Sequence, residues 1–494
     1  MSQKYILSID QGTTSSRAML FSHDSSVVDV RQKELTLHYP HKGWIEQDAE
    51  DIWADTLWAC QALIKAQDPS LEQIAVIGIT NQRETTIIWD RKTGKPVYNA
   101  IVWQDRRTAD FCAGLKNKGH EDMVQEKTGL LLDPYFSGSK IAWILDNVEG
   151  VREKAEKGDL AFGTVDSFLL WRLTKGKAHV TDVTNASRTM LFNIQTQQWD
   201  DELLALFNIP KSLLPEVKDN IAEFGTTDPD LFGKPLTVGG VAGDQQAALI
   251  GQACFTKGMV KSTYGTGCFL LMNIGDTFKK SENRLLTTPA YRINGKTTYA
   301  SEGAIFVAGA AIQWLRDGLG ILKHAADSES MALQANPEHG VSFIPAFTGL
   351  GAPWWDPHAK AAIMGLTREN TANDVVRAAL EAQAFQTQDL MSAIKADTGH
   401  DPAVIRADGG LVENNFMTQF LADILGKPVE IPKNAETTAQ GAAYLAGLYA
   451  GLYDSFDDVS AAWQQDRNFD PVMETKHRDA HLAQWSDSIQ RVLN

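Results

Sequence analysis

Three short segments hold residue types suited to phosphate and metal chemistry. The first is Asp10-Gln11-Gly12-Thr13-Thr14-Ser15-Ser16-Arg17. A tight turn there exposes backbone N–H groups and hydroxyls, the donors that phosphate oxygens need. Asp10 at a strand end suits a hydrated Mg²⁺, a cation that keeps several of its waters. Arg17 can reach a phosphate or anchor the turn. The second segment is Tyr264-Gly265-Thr266-Gly267, whose two glycines let backbone approach a ligand closely. The third is Ala407-Asp408-Gly409-Gly410-Leu411-Val412-Glu413-Asn414-Asn415. Small residues after a strand admit a flat adenine, and Asn414 can hydrogen-bond it. Taken singly, each has an ordinary explanation: a plain hairpin turn for the first two, a strand-to-helix loop capped by Asn415 for the third. Their joint order carries the weight, a phosphate-type turn in each half and then a glycine pair.

The elements around these segments alternate between strand-like and helix-like, which predicts an α/β chain. Tyr5 to Asp10 and Ser16 to Phe21 read as a strand hairpin around the first turn. Asp48 to Gln67 reads as a helix, with Ile52, Leu57, Cys60, Leu63 and Ile64 near helical period and Asp48 as cap. Ala75 to Thr80, Thr86 to Trp89 and Val238 to Val241 read as strands. Past the midpoint the logic restarts: Gly258 to Ser262 strand, glycine turn, Phe269 to Asn273 strand. Gly303 to Leu315, Asp374 to Ile394 and Asn415 to Leu425 read as helices, the last stopped by Gly426. The restart divides the chain near residue 252 into halves of similar size, alike in pattern rather than in residue identity.

Bulk properties narrow the partners. A chain of 494 residues exceeds one core and predicts about two to four domains. The 46 Lys and Arg against 62 Asp and Glu leave a net charge of −16. Such a surface repels nucleic acid and anionic membranes. A phosphate ligand must then be met locally, by metal, helix N-termini or a few cations. The cysteines Cys60, Cys112, Cys254 and Cys268 are scattered, which speaks against a zinc site and fits a reducing compartment. After Met1-Ser2-Gln3-Lys4 only Tyr5 to Ile9 is mostly apolar, too short for a signal peptide. No apolar run is long enough to span a membrane. The expected setting is cytoplasmic.

The ordered segments resemble the fold shared by actin, Hsp70 chaperones and sugar kinases. Tyr135-Phe136-Ser137-Gly138-Ser139-Lys140-Ile141-Ala142-Trp143-Ile144-Leu145-Asp146-Asn147 resembles the first signature of the FGGY carbohydrate kinases. Ala361-Ala362-Ile363-Met364-Gly365-Leu366, with Asp374-Val375 and Ala378-Ala379-Leu380-Glu381, resembles the second. The resemblance covers essentially the whole chain. It implies an α/β fold of two duplicated ribonuclease H-like (actin-like ATPase) domains with an interdomain cleft. Residues 1–252 would hold the polyol site, the first phosphate hairpin and the catalytic Asp. Residues 253–494 would hold the second hairpin and the adenosine loop. It further implies ATP/ADP and Mg²⁺ as cofactors, and a homo-oligomer, dimer or tetramer.

Within the family the match is closest to members that phosphorylate glycerol, giving sn-glycerol 3-phosphate. Asn81-Gln82-Arg83-Glu84-Thr85 and Trp103-Gln104-Asp105-Arg106-Arg107-Thr108 stand where those members carry substrate motifs, and Gly243-Asp244-Gln245-Gln246-Ala247-Ala248 matches the catalytic segment. Arg83 and Glu84 offer donors and acceptors for adjacent hydroxyls, and Tyr135 and Gln245 add to them. Trp103 and Phe269 can pack on the carbon backbone. Asp244 is the expected general base. By the same resemblance Thr13, Thr14, Ser15, Arg17, Thr266, Gly309, Gln313, Gly410 and Asn414 contact nucleotide, and Asp10 faces Mg²⁺ through water. Bland alternatives stand beside these: a surface ion pair for Arg83–Glu84, core packing for Trp103, a helix cap for Asp244, an exposed polar residue for Gln313. Other weighed readings are an FGGY kinase of erythritol, a pentulose or gluconate, a nucleotide-gated interaction protein, and a non-catalytic sensor.

One stretch departs from the resemblance. Some glycerol-phosphorylating members bind fructose 1,6-bisphosphate through a Gly- and Arg-containing loop. Thr227 to Leu236 here lacks Arg and has one Lys against two Asp. Others carry a regulatory histidine, whereas no His lies between His179 and His324. The chain is therefore expected to ignore fructose 1,6-bisphosphate. Rates measured with and without millimolar effector should coincide, and strong inhibition would refute the reading.

Overall fold

The computed structural model describes residues 4–67, 73–356 and 358–493. The chain start at Met1–Gln3, part of the signal-peptide argument, lies outside the described residues. The first half is built on strands β1 (Tyr5–Gln11), β2 (Ser15–Ser22) and β3 (Val27–Glu34), helix α1 (Ala49–Gln67), strands β4 (Ile74–Asn81), β5 (Ile221–Thr226) and β6 (Thr237–Gly243), and helix α2 (Asp244–Gly251). The second uses β7 (Val260–Tyr264), β8 (Cys268–Gly275), β9 (Leu286–Ile293), β10 (Lys296–Ile305), α3 (Gly309–Asp317), α4 (Ala372–Thr398), β11 (Ile405–Asp408), α5 (Asn415–Leu425), β12 (Val429–Pro432), α6 (Thr437–Tyr449) and β13 (Gln465–Phe469).

The sheets share one spatial order over five strands and differ at their edges, where β5 precedes β6 in the chain but β13 follows β12. The first runs β3-β2-β1-β4-β6-β5, the second β9-β10-β8-β7-β11-β12-β13. Aligned on their first hairpins, β1 corresponds to β7, β2 to β8, β3 to β10, β4 to β11 and β6 to β12. Directions agree as well. β1–β2 and β7–β8 are antiparallel, and β1–β4 and β7–β11 are parallel. β9 is an added edge strand. The residue pattern suggested duplication, and the shared five-strand order supports it.

Local chemistry sets the element ends. α4 starts at a capping box of Thr371 with Asp374 and stops at left-handed Gly399. α5 stops at left-handed Gly426, as expected, but its cap is Asn414, whose side chain accepts from Met417 N, and Asn415 is the first helical residue. Two expectations are corrected. The strand predicted over Gly258–Ser262 runs Val260–Tyr264, because Gly258 sits in a turn with φ +90°. The helix predicted over Gly303–Leu315 begins only at Gly309. Gly303, Ala304 and Ile305 are the end of β10, pairing with Leu270, Phe269 and Cys268. The strand is buried on both faces there, so it lacks the polar alternation that marks a half-exposed strand.

The helices that follow the equivalent strands β6 and β12 pack directly on each other. A Cβ added at Gly441 of α6 would lie 1.8 Å from Ala247 O of α2, and one at Gly251 would lie 1.9 Å from Thr437 O. Neither helix has room for a single methyl at the crossing. α6 also lies on the first sheet, where Ser8 Oγ donates to Ala439 O at 2.7 Å. Ile6, Val76 and Ala242 of the first half share a buried cluster with Leu271, Ala443 and Leu445 of the second. Gly441→Ala should therefore lower stability by about 1–3 kcal/mol or more through overpacking. Gly114→Ala, in an exposed helix with nothing within 4 Å of the added Cβ, should instead be neutral or raise stability by about 0.5–1 kcal/mol. Denaturant midpoints of the two variants test the contrast.

Candidate active site

The carboxyl ends of β1, β4 and β6 converge with the ends of β7 and β11, the place where open α/β sheets bind ligands. Asp10 is the penultimate residue of β1 and is 4% exposed. The β1–β2 turn is closed by Gly12 N donating to Ser15 O at 2.8 Å, which leaves Thr14 exposed and Thr13 and Ser15 half-buried. Arg17 is held between Asp10 and Glu436, with Nη1 2.6 Å from Glu436 Oε2. Burial pushes the Asp10 carboxyl above its ordinary value against the pull of Arg17, and Glu436 adds to the rise. In the second hairpin Gly265 N donates to Gly267 O at 2.9 Å, and Gly265 and Thr266 are exposed. The start of α3 folds over it: Gly309 N donates to Gly265 O, and Ala308 N and Ala310 N to Thr266 O.

Between the hairpins lies a buried charge cluster. Arg83 grips Glu302 with both terminal nitrogens, at 2.7 and 3.0 Å. Arg188 grips the same carboxylate from the other side, Nη2 to Oε1 at 2.9 Å, and its Nε donates to Glu84 Oε1 at 2.6 Å. All four side chains are essentially inaccessible. Arg83–Glu84 is thus no surface pair, and the two partners are 3.7 Å apart inside a larger network. Burial would raise Glu302, but Arg188 and Arg83 outweigh it and hold the carboxyl at about 2. Glu84, with only part of that compensation, is raised by burial against Arg83 and Arg188. Its backbone has φ +23°, a region that costs a non-glycine residue about 1–3 kcal/mol unless the surroundings hold it. Arg188 holds the side chain and Ser137 Oγ donates to Glu84 O at 3.0 Å.

Arg83 Nε also lies 3.3 Å from Asp244 Oδ1. Asp244 is the first residue of α2, after the cap Gly243, and its Oδ1 accepts from Gln245 N at 2.7 Å. It is 31% exposed. Burial raises its pKa, Arg83 and Lys261 lower it, and the neighbouring Asp10 charge raises it further.

Three rings line the space beside Asp244. Trp103 meets Tyr135 edge-on at 5.4 Å and Phe269 edge-on at 6.3 Å. Phe269, singled out only by its nearness to the second hairpin, therefore joins the same wall. Tyr135 Oη lies 3.5 Å from Arg83 Nη2. The Tyr135 backbone is pinned by Lys140, whose buried ammonium donates to the carbonyls of Pro134, Tyr135 and Phe136. Trp103 Nε1 donates to Thr13 Oγ1 at 2.9 Å, tying the ring wall to the first hairpin. Its loop is fastened by Arg107, stacked on Trp44 and Trp143 and paired with Glu46 and Asp105.

The remaining predicted residues line the second half of the cleft. Gly409 has φ +94° and passes so close to Tyr264 that a Cβ would meet its carbonyl oxygen at 2.4 Å. Gly410 follows, exposed, with open space around it. Gln313 is exposed one turn after Gly309. Asn414 is 8% exposed and committed to structure, capping α5 and donating to Ser328 Oγ at 3.1 Å. Sequence reasoning missed Glu302, Arg188 and Lys261. None lies in a motif, and only burial beside Arg83 and Gln245 reveals them.

Comparisons with known proteins show the family and the fold. The model of the FGGY family of carbohydrate kinases, N-terminal domain, matches residues 5–251, and that of the C-terminal domain matches residues 260–450. The chain is 60% identical over 492 residues to a glycerol kinase of Nitrosomonas eutropha, covering 100% of this chain and 99% of the relative. It is 56% identical to glycerol kinase 1 of Pseudomonas aeruginosa, covering 99% of both. Plasmodium falciparum glycerol kinase solved with ADP superposes with a TM-score of 0.94 at 37% identity, over 100% of this chain and 99% of that one. A xylulose kinase of Lactobacillus acidophilus shares the fold, with a TM-score of 0.89 at 23% identity over 99% and 97% of the two chains. The chain belongs to the FGGY family of carbohydrate kinases.

Proposed function

We propose that the chain transfers the γ-phosphoryl group of ATP to glycerol, giving sn-glycerol 3-phosphate and ADP. The observation that carries the reading is Asp244, 3.3 Å from the same Arg83 whose Nη2 reaches Tyr135 of the Trp103–Tyr135–Phe269 wall. Whole-length identity to glycerol kinases supports the choice of acceptor.

In this reading Arg83, Glu84, Tyr135 and Gln245 hold the hydroxyls, and Trp103 and Phe269 pack on the carbons. Asp244 accepts the proton of the attacking hydroxyl. Arg83 and Lys261 oppose the burial that raises Asp244, which keeps a basic carboxylate available. Thr13, Thr14, Ser15, Arg17 and Thr266 meet phosphate oxygens. Gly309, Gln313, Gly410 and Asn414 line the nucleoside end. The polyol site and base lie in residues 1–252, the second hairpin and adenosine loop in 253–494. Drawing the halves together excludes water and limits ATP hydrolysis.

The residues present fit Mg²⁺. Burial disfavours ionisation of the Asp10 carboxyl, Arg17 does not fully relieve this, and Glu436 adds to it. No cluster of three or more His, Cys, Asp and Glu exists among the described residues, but Mg²⁺ needs only one or two carboxylates when it keeps its waters. Asp10 would hold it, and the bound ion would neutralise charge on the phosphate oxygens.

Asp244→Asn should reduce kcat by roughly 10²–10⁴ if the carboxylate takes the proton, and a near-normal rate would remove it from that role. Because burial raises Asp244 above the ordinary aspartate value, kcat/KM of the unmutated enzyme should fall as pH drops through that raised value. That acid limb should be missing from the Asn variant. A panel of glycerol, erythritol, xylulose and gluconate, read by coupled ADP release, should favour glycerol; a preference of orders of magnitude for another acceptor would reassign the substrate.

A further inference from the structure

Lys261 lies on β7 with its side chain fully buried. Nζ donates to Gln245 Oε1 at 2.5 Å and to the Phe269 carbonyl at 3.2 Å. It therefore joins α2 of the first half to β8 of the second, at the two residues that flank the acceptor space. An ammonium has three donors and no acceptor, whereas a glutamine amide has one end of each kind. Lys261 can face only the oxygen of Gln245. The amide is then locked in one orientation, and among the described residues no protein group bonds its Nε2.

We infer that Lys261 is a positioning residue that locks the Gln245 amide so that Nε2 is presented to an acceptor hydroxyl oxygen. The site thereby gains a directed donor opposite the carboxylate of Asp244. A hydroxyl held between them accepts from Gln245 on one lone pair and gives its hydrogen toward Asp244. Asp408 and Asp244 both support the buried ammonium against the desolvation that lowers its pKa. This inference rests on the proposed polyol site but adds a residue and an orientation to it.

Two substitutions test it on the full-length chain. Gln245→Glu keeps an oxygen for Lys261 and deletes the NH₂ donor. It should raise KM for glycerol by about tenfold or more while KM for ATP and the thermal midpoint stay near wild type. Lys261→Met removes the lock at similar volume and should raise KM for glycerol comparably. In a Gln245→Leu background the same Lys261→Met change should add less than about twofold, because the residue it acts through is gone. A normal glycerol KM for Gln245→Glu overturns the inference even if Lys261→Met does not fold. Full additivity of Lys261→Met with Gln245→Leu overturns it as well. Wild-type ADP release keeps this separate from the proposed function. If release depends on a polyol other than glycerol, the same cycle is read with that polyol; if it needs no acceptor, the functional reading and the inference fail together.

Discussion

Everything in the cleft depends on how closely α2 and α6 can approach. At Gly251 and Gly441 the two backbones leave no space for one methyl group. That contact sets the distance between the sheets, because each helix continues from an equivalent strand of its own half. α6 also covers the first sheet, so the halves share a core rather than merely touching. A wider crossing would displace Glu302 from Arg83 and Phe269 from Trp103, since each pair has one member in either half.

The Arg83–Glu302–Arg188–Glu84 network turns that spacing into a site. Removing four charged groups from water is expensive, and replacing such networks with apolar residues often leaves stability unchanged or improved. Its value here is geometric. Glu302 receives two guanidinium groups and stays ionised, and Arg83, so anchored, still aims Nε at Asp244. The strained Glu84 backbone is held by the same network and by Ser137. The first kinase signature thus has a physical role, with Ser137 fixing Glu84 and Lys140 fixing Tyr135.

Much of the site was legible because catalysis in this fold uses strand ends and turns, which leave short-range marks. Asp10, the two glycine-bearing hairpins and the Gly409-Gly410 loop could be found from residue type and spacing. Arg83, Glu84, Trp103 and Tyr135 needed family motifs, since a charged pair or an aromatic has many ordinary explanations. Glu302 lies just before a run, Gly303 to Leu315, that reads as a helix: β10 is buried on both faces, and its small apolar residues imitate a buried helix. Lys261 sits inside a strand that ends in a recognised turn, yet nothing local separates a buried functional lysine from an exposed one. Asn414 also serves the fold, its side chain capping α5 and bonding Ser328, which the sequence did not disclose.

By itself, then, the sequence determined the α/β class, the two-half organisation and the two glycine-bearing hairpin turns. Those depend on periodicity and on backbone needs that act over a few residues. Tertiary structure alone decided that the halves share a five-strand order, that Arg83 lies inside a four-charge network, and that Arg83 also meets Asp244 at the start of α2. It also decided the orientation of Gln245. These are contacts between residues up to about two hundred positions apart, set by burial and by the α2–α6 crossing, and no local pattern encodes such distances.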